Sequence, residues 1–388
     1  MQDHLESGGA ARAAGRWVQL LEQQGHEVCQ VAGDELPAHG YRLTGKPPRG
    51  WGRIREFFGN RSKQRKALVK RGLAAILKAK KPDVVWFHNV AGGEKWGWGM
   101  KMLTAARQTC PVLWTLHDMW ALGGGEESYW EVEEKKAESG KGQEAGVRKQ
   151  EVEGGQQSRV EGVFGAGGKY PVILTAPSRW LAALTMQITG QKCIHLPNPI
   201  DPALFSPGDQ REARRRLGLP ERGLVVLAGA DSLRDPRKGF DLLQEAWKQI
   251  QPEDATLALF GRHGNAGAGQ AYLGSLNSDE QMVAAYRAAD LYVHPARMEN
   301  APCTIQESLA CGTPVLAYAV GGIPEMLENG RTGILCESVS AEALAQGLRQ
   351  TLSKADRLKQ MRADSRQPSN GFELTERIGQ ILREVVRS

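Results

Sequence analysis

The sequence predicts an α/β fold made of two doubly wound, parallel-sheet domains of similar size that face a cleft. Short apolar strands alternate with helical segments along most of the 388 residues. The alternation breaks at a proline-rich stretch near the middle, 196–202 (LPNPIDP), and then restarts. The length accommodates two domains, each with its own core.

The elements follow in order. A glycine-bearing turn, Ser7-Gly8-Gly9-Ala10, leads into a helix that runs to about Gln24 and is ended by Gly25. A strand is expected over 27–31, and a buried one over 83–88 (DVVWFH), set between Pro82 and Asn89. Another covers 111–116 (PVLWTL) with His117-Asp118 at its C-terminal end, and 172–176 (VILTA) precedes a helix starting near Ser178. After the proline-rich linker, strands are expected at 224–230, 256–261, 290–295 and 314–319. Helices are expected at 240–250, 281–289, 304–310 and 341–352, with a last one at about 373–386. Gly312 and Pro314 are the stop signals between the helix at 304–310 and the strand after it. These boundaries give a first domain over 1–196, a second over 197–365, and a C-terminal helix in 366–388 that packs back toward the first. Segment 126–169 interrupts the first domain with ten Glu, seven Lys or Arg and nine Gly, so most of it reads as a low-complexity, mobile surface insertion.

Composition narrows the function classes. The apolar fraction of 41% and charged fraction of 24% are those of a globular protein. No apolar run is long enough to span a membrane, and the N-terminal residues lack a signal-peptide pattern. The six cysteines form no C-x-x-C pair, which argues for reduced thiols in a cytoplasmic protein and against a disulfide frame or structural zinc. The net charge of +6 is uneven: segment 53–81 holds eleven Lys or Arg against Glu56 alone. Val69, Leu73, Ile76 and Leu77 fall on one face of a helix there, ringed by Lys66, Lys70, Arg71, Lys78 and Lys80. That pattern fits either a core-facing helix with a solvated basic face or a surface that meets anionic lipid or a phosphorylated acceptor. No nucleic-acid motif accompanies the charge.

Ligands in such sheets bind at the strands' C-terminal ends, and five features fall there. Gly8-Gly9 precedes a helix N-terminus, a place for close backbone approach to a phosphate, though a plain turn has the same form. His117-Asp118 ends a strand, where a histidine either holds a sugar hydroxyl or serves the structure alone. Arg234-Asp235-Pro236-Arg237-Lys238-Gly239 combines cations with a helix start, as a departing diphosphate needs when no metal is present; a solvated basic turn would look alike. Met298-Glu299-Asn300-Ala301-Pro302-Cys303-Thr304-Ile305-Gln306-Glu307 runs from a loop into a helix, with Pro302 in its first turn and free amides near Cys303 and Thr304. A loop carboxylate there can bind sugar hydroxyls and a helix carboxylate ribose hydroxyls, though two glutamates eight apart are also common by chance. Gly321-Gly322-Ile323-Pro324-Glu325 is a further glycine turn into a helix. No G-x-G-x-x-G follows a strand and no P-loop is present, which lowers the nicotinamide and P-loop readings. Six of the ten tryptophans lie between Trp86 and Trp130; Trp86 and Trp114 sit in strands and read as core, while Trp96, Trp98 and Trp120, with His88, are candidates for an acceptor groove.

Taken together, Glu299 and Glu307 eight residues apart, Lys238-Gly239, Gly321-Gly322-Ile323-Pro324-Glu325 and Thr115-Leu116-His117-Asp118-Met119-Trp120 resemble the family 4 retaining glycosyltransferases of GT-B fold. The last of these stretches resembles a branch active in exopolysaccharide and surface-glycan assembly. The resemblance implies two Rossmann-like domains and metal-independent transfer of a sugar from a nucleotide-sugar, itself a substrate, so that no cofactor is called for. Gly9 would approach the donor diphosphate and His117 the donor sugar. Lys238, with Arg234 or Arg237, would neutralise the phosphates. Glu299 would hold sugar hydroxyls and Glu307 the ribose, and the backbone of Asn300, Ala301, Cys303 and Thr304 would meet sugar and phosphate. The acceptor would be a carbohydrate or lipid-linked glycan, at the inner face of the cytoplasmic membrane. Three departures stand out: only Met1 to Glu6 precede the glycine turn where the family has an apolar strand, Leu233 stands where an arginine is usual, and the 126–169 insertion replaces cysteines that often follow the His-Asp-Met-Trp stretch. Competing readings are a non-catalytic carbohydrate- or nucleotide-binding relative, and an epimerase or phosphorylase on the same architecture.

Overall fold

The computed structural model describes residues 9–32, 40–42, 62–88, 99–122, 159–165, 167–365 and 371–387. They fall into two compact units, 1–197 with 374–388, and 198–373. Both are α/β with parallel strands.

In the first unit, helix α1 (Gly9–Gln23) buries Ala13, Trp17 and Leu21 along one side. Strands β1 (Gln30–Ala32) and β2 (Gly40–Arg42) pair in parallel as a two-stranded sheet. Helix α2 (Ser62–Lys80) buries Val69, Leu73 and Leu77 and leaves Lys70, Arg71 and Lys78 in solvent, the core-facing arrangement expected of its pattern. A four-stranded sheet follows: β3 (Val85–Phe87), β4 (Val112–Thr115), β5 (Val172–Ala176) and β6 (Cys193–His195), side by side in that order. Helix α3 (Met100–Ala106) leads into β4, and α5 (Arg179–Thr189) joins β5 to β6. Ser178 caps α5 through Oγ, which accepts from the Leu181 amide at 3.0 Å.

The C-terminal end of segment 126–169 departs from the composition of the rest. Residues 159–165 form a helix, α4 (Arg159–Gly165), with Val160 and Val163 fully buried and the Arg107 guanidinium donating to the Val163 carbonyl at 2.8 Å. Two valines three apart supply the burial that the surrounding Glu- and Gly-rich sequence lacks. The rest of that insertion, 126–158, lies outside the described residues.

The second unit is built on six parallel strands in the order β12-β11-β10-β7-β8-β9. These are β7 (Leu224–Ser232), β8 (Ala255–Arg262), β9 (Gln270–Tyr272), β10 (Leu291–His294), β11 (Val315–Tyr318) and β12 (Gly333–Cys336). Period-two alternation assigns each side chain to a face. Val225, Leu227, Tyr292, Val315 and Ala317 enter one core layer, beneath α8 (Asp279–Ala288) and α9 (Cys303–Ala310). Val226, Ala228, Leu291, Val293, Leu316 and Tyr318 enter the other, beneath α7 (Phe240–Ile250) and α10 (Ala341–Leu352). Arg214, on α6 (Gln210–Arg216), is buried and spends its guanidinium on the Ala288, Pro220, Glu221 and Gly223 carbonyls and on Asp290, at 2.6 Å. The proline-rich stretch is not a loose tether: Ile200 belongs to the first core layer.

After α11 (Ala355–Asp364), the C-terminal helix α12 (Gly371–Arg387) sets Ile378, Ile381 and Val385 into one cluster with Trp17, Leu21, Leu113 and Leu196 of the first unit. Their spacing is that of a helix stripe. Among the described residues, no helix is long and apolar enough to cross a membrane.

Candidate active site

The strand order of the second unit reverses between β7 and β10: the chain runs outward from β7 to β9, then returns to lay β10 on β7's other side. Loops leaving adjacent strands at such a point diverge and leave a crevice. The loop after β7 carries Lys238, and the loop after β10 carries Glu299.

Two glycines lock these loops and the one after β11 together. Gly239 has φ +65° and a Cβ there would stand 1.9 Å from the Pro295 carbonyl oxygen. Gly321 has φ +54° and a Cβ would stand 1.9 Å from the Glu299 carbonyl oxygen. Neither position has room for a side chain, and each conformation favours glycine. Hydrogen bonds add to the lock: Arg297 N donates to Arg237 O at 2.9 Å, and Gly322 N to Glu299 O at 3.2 Å. The Arg297 guanidinium reaches the Pro236 carbonyl at 2.6 Å and also pairs with Asp241.

On this frame the Lys238 ammonium pairs directly with the Glu299 carboxylate, across 61 residues of sequence. The Glu299 side chain is 18% exposed and that of Lys238 31%. Burial would raise the Glu299 carboxyl, but the Lys238 cation and His294 override it and hold the group at about 2. His294 ends β10. It is buried, with Nε2 3.7 Å from Glu299 Oε1, and Nδ1 faces the Tyr292 hydroxyl at 3.3 Å and Thr304 Oγ1 at 3.4 Å.

Helix α9 begins beside this pair. Pro302 is its N-cap rather than its first helical residue, and no side chain caps it. Proline has no amide to waste there, and the start of a helix is an end at which an anion is stabilised. Asn198 braces the same turn from the proline-rich stretch: Nδ2 donates to Ala301 O at 3.2 Å, and its carbonyl accepts from Gln306 Nε2 at 2.9 Å. Asn300 and Cys303 are buried, while Ala301 and Thr304 are partly exposed.

Three candidates sit differently from expectation. Arg237 is engaged within its own loop, with Nε and Nη2 on the Asp235 carboxylate at 3.1 and 2.8 Å, because Asp235 caps the short turn Pro236–Lys238. Arg234 is exposed. Glu307 is fully buried and accepts from the Tyr286 hydroxyl at 2.9 Å. Helical periodicity places Glu307 four residues after buried Cys303, on the same face, as it places Ser308 three after Ile305.

The first unit presents its own cluster at the ends of β3 and β4. His88 Nδ1 and His117 Nε2 stand 3.1 Å apart. Trp86 stacks against His88, with ring centroids 4.7 Å apart, and donates Nε1–H to Thr115 Oγ1 at 2.7 Å. Burial depresses both histidines; His117 is lowered to about 4 and His88 lies well below its ordinary value, so the pair is neutral at pH 7. Asp118 accepts from the Trp120 amide at 2.9 Å and sets the turn that places partly exposed Trp120. Gly9 opens α1 and is exposed; a Cβ at that position would meet nothing within 4 Å, so crowding by the protein does not require glycine there. Gly8, Trp96 and Trp98 lie outside the described residues.

Sequence reasoning missed His294, Tyr292, Tyr286 and Asn198. The one available signal was a histidine as the last residue of an apolar strand, at the end where ligands bind.

The chain is similar to known glycosyltransferases. Residues 209–367 match the family described as Glycosyl transferases group 1, and residues 7–149 match Glycosyltransferase Family 4. A D-inositol 3-phosphate glycosyltransferase of Catenulispora acidiphila is 32% identical over 212 residues, 49% of this chain and 50% of that protein. The match thus spans about half the length of that relative. Among solved structures, sucrose-phosphate synthase from Thermosynechococcus elongatus superposes with a TM-score of 0.70 at 19% identity, over 97% of this chain and 94% of that one. Anabaena HepE in complex with UDP-glucose gives 0.68 at 16% identity, over 99% and 98%. The solved neighbours share the fold, and with a Glycosyltransferase Family 4 match in the first α/β unit and a Glycosyl transferases group 1 match in the second, together spanning most of the chain, the chain belongs to the family 4 glycosyltransferases.

Proposed function

We propose that this protein transfers a sugar, with retention, from a nucleotide-sugar to a carbohydrate or lipid-linked glycan. The observation that carries the reading is the meeting of Lys238 and Glu299 at the switch point of the second sheet, beside the uncapped start of α9. A cation and a set of outward amides suit a diphosphate, and a carboxylate alongside suits sugar hydroxyls.

In this reading the donor phosphates draw the Lys238 ammonium to themselves, with the Cys303 and Thr304 amides completing the charge stabilisation. Glu299 turns to the hydroxyls of the donor sugar, and exposed Arg234 supplies the second cation that Arg237, tied to Asp235, does not. The acceptor hydroxyl attacks from the face the nucleotide leaves, and the departing phosphate oxygen takes its proton. No protein base is needed opposite, and no metal is called for, because fixed cations and amides carry the leaving-group charge. Gly9 and His117 are assigned to the diphosphate and the donor sugar, and a neutral His117 suits hydrogen bonding to a hydroxyl. Trp120 and His88 are assigned to the acceptor, and the basic face of α2 to an anionic membrane surface.

A panel of UDP-, GDP- and ADP-sugars, measured by thermal shift on wild type and Lys238→Ala, tests this. One nucleotide class is expected to raise the wild-type melting temperature and to lose most of that effect in Lys238→Ala. A well-folded wild type that responds to no donor refutes the reading.

A further inference from the structure

The surroundings of Glu299 are incompletely satisfied. His294 Nε2 is a buried polar atom with no hydrogen-bond partner among the described residues, and the residue is only 5% exposed. Its nearest charged neighbour is Glu299 Oε1 at 3.7 Å, too far for a hydrogen bond. Buried nitrogens are rarely left so without a reason. The other ring nitrogen, Nδ1, faces two hydroxyls, Tyr292 and Thr304. Either can donate to it. The tautomer with its proton on Nε2 therefore aims a donor at the carboxylate, whereas the opposite tautomer would set a lone pair against a negative charge. Burial keeps the Tyr292 phenol protonated, and hence able to donate.

Resting on the proposed donor site, we infer that His294 is a positioning residue for Glu299, taking over its carboxylate when Glu299 turns from Lys238 to the hydroxyls of the donor sugar. A half-buried carboxylate stripped of its cation would be left uncompensated in a poorly solvated site. A carboxylate shift of about 1 Å brings Nε2–H into hydrogen-bond range. The carboxylate is then fixed from behind by His294 and keeps its remaining lone pairs for the hydroxyls of the donor sugar. His294 itself touches no substrate. The pairing acts on the sugar half of the donor, because with a nucleoside diphosphate alone Glu299 stays beside Lys238, whose three ammonium donors can meet phosphate and carboxylate together.

The test compares His294→Leu, which removes Nε2–H, with His294→Gln, whose side-chain amide can reach the same place. Titration calorimetry is run with UDP against UDP-glucose, GDP against GDP-mannose and ADP against ADP-glucose. His294→Leu is expected to weaken the nucleotide-sugar about tenfold, the loss of one hydrogen bond to a charged group. It should leave the matching diphosphate within about twofold of wild type, and His294→Gln should restore most of the sugar-dependent part. If His294→Leu fails to fold, His294→Asn, shorter than the histidine and unable to reach the carboxylate, gives the same comparison. Equal weakening of diphosphate and nucleotide-sugar, or no weakening of either, overturns the inference while the donor site stands. A wild type that binds none of the six ligands overturns both.

Discussion

Replacing Lys238 with methionine isolates the central interaction of the site. The wild-type carboxyl of Glu299 is held at about 2 against an ordinary 4.5. At about 1.4 kcal/mol per pH unit, that difference corresponds to about 3 kcal/mol. Solvent reaches part of both side chains, 31% of Lys238 and 18% of Glu299, so screening reduces the expected loss to about 2 kcal/mol. The pH dependence has a fixed sign. A depressed carboxyl contributes stability that is complete above the unfolded value of 4.5 and fades as pH falls toward about 2. In Lys238→Met, burial lifts the carboxyl with His294 alone left to oppose it, so the variant loses most where Glu299 is ionised. The gap between wild type and variant should therefore be full at pH 7 and narrow below about pH 4.5. Urea unfolding followed by circular dichroism, with the transitions of the two units fitted separately, measures it. Adding Glu299→Gln to the variant should recover most of the loss, since a neutral amide needs no cation. A gap under about 0.5 kcal/mol at pH 7, or one unchanged down to pH 3.5, refutes the reasoning, because that is the size of an ordinary surface pair.

Three further outcomes follow from other features. Gly321→Ala forces a Cβ to within 1.9 Å of the Glu299 carbonyl at φ +54°; it should cost about 2–4 kcal/mol in urea unfolding and abolish the donor-induced thermal shift. Arg214→Met leaves the buried end of Asp290 and several carbonyls unpaired, and a loss of about 3–5 kcal/mol is expected in the same assay, against less than about 1 kcal/mol for exposed Arg216→Met. His117 is depressed to about 4 from 6.5, so it withholds a proton that the unfolded chain accepts; stability should fall as pH drops from 6.5 toward 4, and His117→Phe should flatten that slope. An NMR titration placing His117 near 6.5 would contradict its desolvation beside His88.

The strands and helices of the second unit were legible because each signal was local. Helix α7 coincides with the 240–250 pattern, and β7, β10 and β11 lie within a residue or two of their apolar runs. The short edge strands β6, β9 and β12 were not legible: three or four residues carry too little periodicity, and pairing with a neighbour defines them. Helix α4 was hidden for a related reason, since its two buried valines stand in a segment whose composition reads as solvated.

The sequence by itself determined the fold class and the identity of the chemistry-bearing loops, because alternation period, glycine turns and the Glu299–Glu307 spacing are properties of neighbours along the chain. Tertiary structure alone decided how those residues are used. Lys238 and Glu299 lie 61 positions apart and become an ion pair only because strand order reverses between β7 and β10. Arg237 is drawn to Asp235, Glu307 is sealed against Tyr286, and His294 is aimed at Glu299 by the same packing. Burial and charge proximity are set by which segments become neighbours in space, and the linear pattern does not encode that distance.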